Sequence, residues 1–151
     1  PYYEAGLKVL LKKDRAESIK SLEDLDKKGL TVLVKLGTTG DIFATKNIKN
    51  AKIRKMDNEA DAAQSIGLGK ADAFIYDKPY IDLFIADHKD KVASFPTLLS
   101  TEHFGVATQK KNKDLIAAFN SFLKQWRESG EYDKAFQANF VDLTWKKHFP
   151  K

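Results

Sequence analysis

Residues 30–40 have the sequence LTVLVKLGTTG, and this stretch indicates the fold class of the chain. Its first seven residues form a nearly continuous apolar run rich in branched side chains, which predicts a β-strand buried on both faces. Gly37 ends the strand, and a helix is predicted from about Asp41 to Asn47. A buried strand that leads through a short turn into a helix is typical of a parallel or mixed sheet covered by helices.

The rest of the chain continues this alternation of strands and helices. Further strands are predicted at residues 7–11, 51–56, 71–76, 92–95 and 103–108. Helices are predicted at residues 21–29, 58–67, after Pro79, at 114–128 and after Gly130, with Ser21 and Asn58 as N-caps. The chain is therefore predicted to be an α/β protein.

Composition narrows the class of function. The 151 residues are 42% hydrophobic, enough for one domain, or for one complete lobe plus part of another. The absence of cysteine removes disulfides, thiolate catalysis and cysteine-bound metals. The net charge of +5 comes from 26 basic and 21 acidic residues interspersed along the chain, without the basic runs and interleaved aromatics of a nucleic-acid-binding surface. Apolar runs are much shorter than the roughly 20 residues of a membrane span.

The turn at residues 37–40 is the first candidate binding element. A helix that begins there presents unpaired backbone N–H groups and the positive end of its dipole, and two threonine hydroxyls add donors. Such a turn can hold a carboxylate. The alternative is that Thr38 or Thr39 only caps the helix.

Asp77 is the second candidate, because it directly follows the predicted strand 71–76. Ligand groups collect at this edge of open α/β sheets, and a carboxylate there can receive an ammonium group through charge-assisted hydrogen bonds. The alternative is an N-cap for the helix after Pro79. Together, the two features predict a site for an anion and a cation on neighbouring strands, the two charges of an α-amino acid.

Signals of catalysis are weak. His88, His103 and His148 are scattered without the spacing of a metal site, so no metal is expected. The turn at 37–40 lacks the lysine of a phosphate loop and the spacing of a dinucleotide-binding loop, and no serine lies in a nucleophile elbow. The chain is predicted to need no cofactor and not to be an enzyme.

Several of these stretches resemble the amino-acid-binding family of periplasmic solute-binding proteins, often called family 3. The resemblance is carried by SLEDL at 21–25, LVKLGTTG at 33–40, GKADA at 69–73 and Asp77. It extends to PYY at 1–3, FGVA at 104–107 and GEY at 130–132, and so spans essentially the whole chain.

The resemblance implies a periplasmic-binding-protein-like type II fold, with one complete α/β lobe and part of a second lobe. Residues 13–102 would form the complete lobe, and residues 1–12 and 103–151 would belong to the other. Hinges near Lys12 and His103 would close the lobes over the ligand. A family member usually has most of its first lobe ahead of the PYY motif, and this sequence starts at that motif.

The resemblance also implies ligand-binding residues. Thr39, with Thr38 beside it, matches the position that binds the α-carboxylate, and Asp77 matches the acid that binds the α-ammonium group. Lys35 and Tyr76 match positions that touch the ligand side chain in some relatives.

The implied function is substrate binding for an ABC-type amino-acid importer, with a polar amino acid as ligand and a membrane permease as partner. The implied location is periplasmic or extracytoplasmic, as a cell-surface lipoprotein in a Gram-positive organism. The alternatives are a ligand-binding module of a receptor and a cyclohexadienyl or arogenate dehydratase on the same fold. Apolar surface that lacks its usual packing partners would favour a homodimer.

Overall fold

The structure is a computed structural model that describes residues 1–148. These residues form a larger unit, residues 4–103, and a smaller unit made of residues 1–3 and 104–148. The chain passes from one unit to the other twice, at residues 3–4 and 103–104. Strands β1 and β7 run through these two passages and pair in a two-stranded sheet.

The elements follow the predicted alternation of strands and helices. The strands are β1 Tyr3–Ala5, β2 Leu7–Lys12, β3 Thr31–Lys35, β4 Lys52–Met56, β5 Ala73–Asp77, β6 Val92–Ala93 and β7 Glu102–Phe104. The α-helices are α1 Leu22–Leu25, α2 Thr39–Asn47, α3 Glu59–Gly67, α4 Lys78–His88, α5 Lys113–Glu128 and α6 Glu131–Phe136. Short helical turns lie at Lys13–Arg15, Gln137–Val141 and Thr144–His148.

The larger unit is built around a five-stranded mixed sheet with the strand order β4-β3-β5-β2-β6. Strand β3 pairs in parallel with β4 on one side and β5 on the other. Strand β2 pairs antiparallel with both β5 and β6. The prediction of an α/β fold is confirmed.

Strand β3 is buried on both faces, as its apolar run predicted. Val32, Leu33 and Val34 are all fully buried. Side chains alternate across a strand, so Val32 and Val34 enter the hydrophobic cluster on one face, while Leu33 enters the cluster on the opposite face with Phe74. The continuous apolar run was therefore a signal of two cores, one on each side of the sheet.

Two predicted helix caps are confirmed, but the first helix ends early. The Ser21 hydroxyl accepts a hydrogen bond from the Asp24 amide at 3.3 Å, and the Asn58 side chain caps α3. Helix α1 ends at Leu25 rather than near Gly29. The next residue, Asp26, accepts hydrogen bonds from the backbone amides of residues 49–51. These bonds hold Asp26 to the loop that precedes β4, which a continuing helix would prevent.

The smaller unit contains α5, whose predicted amphipathic pattern does form a long helix. Of its apolar face, Leu123 is buried, while Leu115 and Phe122 are 57% and 55% exposed. Tyr3 stacks with Phe136 at a ring distance of 6.1 Å. The predicted final helix forms, because the helical turn at 137–141 follows α6 without a break, and a separate helical turn lies at 144–148. None of the helices within residues 1–148 is long and apolar enough to cross a bilayer.

The first boundary between the units differs from the predicted lobe boundary. The prediction grouped residues 1–12 with 103–151, but strand β2 at residues 7–12 belongs to the larger unit. It does so because β2 is hydrogen-bonded on both edges, with Lys12 opposite Val92 of β6. The predicted strand at 103–108 is reduced to β7, and residues 149–151 of the predicted lobe lie outside the described residues.

Candidate ligand-binding site

The turn at 37–40 and Asp77 lie at the same edge of the sheet. Strands β3 and β5 are parallel neighbours, so their carboxyl ends, at Lys35 and Asp77, meet there. Helix α2 begins close to β5, because a Cβ atom on Gly40 would lie only 2.8 Å from the carbonyl oxygen of Ile75. Glycine at this position therefore allows the start of α2 to approach the strand that carries Asp77.

Asp77 has the N-cap position of α4 but does not act as a cap. Its side chain makes no capping hydrogen bond, and within residues 1–148 it forms no ion pair. Partial burial raises the pKa of the Asp77 carboxyl, and the nearby negative charge of Glu102 raises it further, while Lys35 acts in the opposite direction. The carboxylate is thus partly desolvated and without a cation, a state that an ammonium group of a ligand would relieve.

The two threonines of the turn differ in role. Thr38 Oγ1 donates a hydrogen bond to the Lys35 carbonyl oxygen at 2.8 Å. The same oxygen accepts a hydrogen bond from the Asp41 backbone amide at 3.4 Å. The capping interpretation therefore holds for the Thr38 side chain. Thr39 is exposed, and its hydroxyl donates to Glu102 Oε2 at 3.2 Å. As the first residue of α2, Thr39 also presents a backbone N–H that has no acceptor within the helix.

Lys35 and Tyr76 lie beside this edge but already have protein partners. Lys35 Nζ forms an ion pair with Glu59 Oε2 at 2.6 Å, and the hydrogen bond to Glu59 is the main cause that raises the Lys35 pKa. Tyr76 stacks on Phe74 and meets Tyr80 edge-on, each at a ring distance of 5.3 Å. Burial is the main cause that raises the pKa of the Tyr76 hydroxyl. The charge of Lys35 is therefore balanced before any ligand arrives.

Glu102 belongs to this group and was not among the predicted residues. The segment before it runs along the start of β2, where the Leu7 amide donates to Ser100 Oγ at 3.1 Å. Leu7 is the register partner of Asp77, so this segment places Glu102 near Asp77. Glu102 is 63 residues from Thr39 in sequence, and no local pattern indicated the contact.

The site contains the carboxylates of Asp77, Glu102 and Glu59 and one ammonium group, that of Lys35. Because Lys35 pairs with Glu59, the carboxylates of Asp77 and Glu102 remain without a cation among the described residues. In the described part of the chain, no group of three or more histidine, aspartate or glutamate side chains could hold a metal ion. The arrangement is suited to binding a cationic group next to the start of a helix.

Comparison with known proteins shows which solved structures share this fold. The chain is 36% identical to a binding component of an ABC transporter from Wolinella succinogenes, solved in complex with lysine, with a TM-score of 0.90 over 97% of this chain and 64% of that one. It is 38% identical to the ancestral amino-acid-binding protein AncCDT-1, a precursor of cyclohexadienyl dehydratase, with a TM-score of 0.82 over 93% of this chain and 60% of that one. The fold is that of the solute-binding proteins of ABC transporters.

The curated homologues of this chain are amino-acid-binding periplasmic proteins, which agrees with the resemblance seen in the sequence. It is 33% identical to a probable histidine-binding protein of Neisseria gonorrhoeae over 93% of this chain and 53% of that protein. The chain spans about half the length of the curated relatives it matches. No protein-family model matches it.

Proposed function

We propose that the protein containing this chain is the substrate-binding component of an ABC-type amino-acid importer. The observation that carries this proposal is the half-buried carboxylate of Asp77, which has no ion-pair partner among residues 1–148 and lies at the sheet edge where α2 begins. In this proposal Asp77 binds the α-ammonium group of the ligand. The backbone N–H of Thr39, with Thr38 beside it, binds its α-carboxylate, and the Thr39 hydroxyl does so by turning from Glu102 to the ligand.

The names of relatives support an amino acid as the ligand. They include proteins described as binding histidine, cystine, arginine and glutamine, and a structure in complex with lysine. We propose that this chain binds a polar amino acid and breaks no bond, with a membrane permease as partner and an extracytoplasmic location. Lys35 and Tyr76 then border the side chain of the ligand.

We further propose that residues 4–103 form one ligand-binding lobe and that residues 1–3 and 104–148 belong to the other. Capture would occur by closure of the lobes over the ligand. The hinge then lies at the passages at residues 3–4 and 103–104. We propose these passages rather than Lys12, because Lys12 pairs with Val92 within the five-stranded sheet.

The proposal is tested with the product of the full reading frame that contains this chain. Isothermal titration calorimetry with arginine, lysine, histidine, glutamine and cystine is expected to show saturable binding of at least one ligand. Incubation with prephenate or arogenate should give no aromatic product, which separates a binding protein from the dehydratase alternative. Absence of binding to every amino acid, or formation of the aromatic product, would contradict the proposed function.

Homodimerisation through the smaller unit is a separate proposal. Large apolar side chains there are exposed, among them Val106 at 45% and Val141 at 55%, together with Leu115 and Phe122 of α5. Exposed apolar surface of this kind favours association. We expect multi-angle light scattering of the 151-residue chain at high concentration to give the mass of a dimer. The two copies could form this dimer by exchanging secondary-structure elements. A strictly monomeric mass would oppose this expectation.

A further inference from the structure

Glu102 is held between the two groups that the proposed function assigns to the ligand backbone. Its Oε2 accepts a hydrogen bond from Thr39 Oγ1 at 3.2 Å, and its Oε1 accepts one from Ser100 Oγ at 3.1 Å. Its charge also acts on Asp77. These two hydroxyl groups therefore orient the Glu102 carboxylate and hold it at the proposed ligand site.

The negative charge of Glu102 has no counter-cation in the described residues. Both of its hydrogen-bond donors are neutral, and it forms no ion pair within residues 1–148. Lys35, the ammonium group near Asp77, pairs with Glu59 at 2.6 Å. The negative charge of Glu102 therefore contributes to raising the pKa of the neighbouring Asp77 carboxyl, and this repulsion persists until a cation arrives.

The charge of the ligand decides whether this repulsion is relieved. A neutral amino acid brings one ammonium group and one carboxylate, so its net charge leaves the site with the same excess of negative charge. An amino acid with a cationic side chain brings a second positive group. Charge-assisted hydrogen bonds to that group would offset the second carboxylate of the site.

We propose that Glu102 is a specificity-determining residue which, together with Asp77, selects amino acids with a cationic side chain over neutral ones. This inference rests on the proposed amino-acid binding and assigns the class of ligand within it. Glu102 is expected to contact the ligand directly, because it shares the Thr39 hydroxyl with the proposed carboxylate-binding turn.

The test compares Glu102→Gln with the wild type in the product of the full reading frame. Calorimetry is carried out with arginine and lysine as cationic ligands and with glutamine as a neutral ligand of similar length. Glutamine at position 102 keeps an oxygen acceptor for Thr39 and Ser100 but removes the charge. We expect arginine and lysine to bind about tenfold more weakly or worse, and the affinity for glutamine to change by less than about threefold.

Two further variants make the comparison specific. Glu102→Asp keeps the charge and is expected to retain a preference for cationic ligands. Glu17→Gln makes the same chemical change at an exposed residue beyond the other end of β2 and should leave both affinities unchanged. Thermal unfolding of each variant checks folding, and Glu102→Asp keeps the proposal testable if Glu102→Gln is unstable.

The outcomes separate this inference from the proposed function. If the wild type binds no amino acid, the proposed function fails and the inference fails with it. If the wild type binds an amino acid but Glu102→Gln changes the affinities for cationic and neutral ligands by the same factor, in either direction, only the inference is overturned. A uniform gain in affinity would mean that Glu102 acts by repelling the ligand carboxylate.

Discussion

Replacing Asp77 with alanine is expected to weaken amino-acid binding by the product of the full reading frame more than tenfold. The carboxylate is half-buried and makes no capping hydrogen bond, and it forms no ion pair in the described residues. Its removal would leave the ligand ammonium group desolvated and unpaired, at a cost of about 2–5 kcal/mol. Calorimetry with the best ligand of the wild type measures the loss.

The charge of Asp77 that favours ligand binding should also lower the stability of the ligand-free protein. Desolvation and Glu102 raise the pKa of Asp77, so the folded state favours the protonated form. The carboxyl therefore stabilises the protein at low pH, and this contribution is lost as the pH rises through the raised pKa. Asp77→Asn, which cannot ionise, should therefore raise the Tm of the ligand-free protein at neutral pH. The difference in Tm between Asp77→Asn and the wild type should shrink as the pH falls toward 3.8, the ordinary pKa of this carboxyl.

A matched control is Asp90→Ala, which removes an exposed carboxylate just past the far end of α4. The 11 residues of α4 span roughly 16 Å, so Asp90 is remote from the site. It should leave affinity and Tm nearly unchanged. Unchanged affinity in Asp77→Ala would overturn the assignment of the ammonium-binding residue. A lower Tm for Asp77→Asn at neutral pH would show that the carboxylate is stabilised in the folded protein.

Replacing Phe74 with alanine is expected to have the largest effect on stability. Phe74 is fully buried in β5, in the cluster that also contains Leu10 and Leu33, and its ring stacks on Tyr76. Because β5 lies between β3 and β2, the structure around the cavity can relax little. The loss should be about 3–5 kcal/mol, measured as a lower urea midpoint with an unchanged slope.

Two variants calibrate that result. Phe74→Leu keeps most of the buried apolar volume and should cost clearly less than Phe74→Ala. Ile42→Ala removes a side chain that is 67% exposed on α2 and should change stability by less than about 0.5 kcal/mol. Equal losses for Phe74→Ala and Ile42→Ala would contradict the burial that places Phe74 in the core.

Local sequence patterns were sufficient for most of the individual elements. The apolar run at 30–36 predicted β3, the N-cap Ser21 predicted the start of α1, and Asn58 predicted the start of α3. Strand β1 was missed, because its three residues are too short to show an alternating pattern. The early end of α1 was also missed, since Asp26 is held by a loop more than 20 residues away.

The candidate site was only partly predictable. Asp77 and the turn at 37–40 were found from their positions after strands, and the resemblance to the amino-acid-binding family named their roles. Whether Thr38 or Thr39 serves as the cap could not be decided from sequence, because both have the same hydroxyl and adjoin the same helix. Hydrogen-bond geometry assigns the cap to Thr38 and leaves Thr39 facing Glu102.

The sequence by itself determined the α/β class, the doubly buried strand and two of the helix caps, because these depend on side-chain periodicity and on hydrogen bonds between near neighbours. Only the tertiary structure decided the strand order, which places β2 between β5 and β6, and the contacts that depend on it. The ion pair of Lys35 with Glu59 and the approach of Glu102 to Thr39 join residues 24 and 63 positions apart. Such pairs are set by which strands lie side by side, and no local pattern records that order.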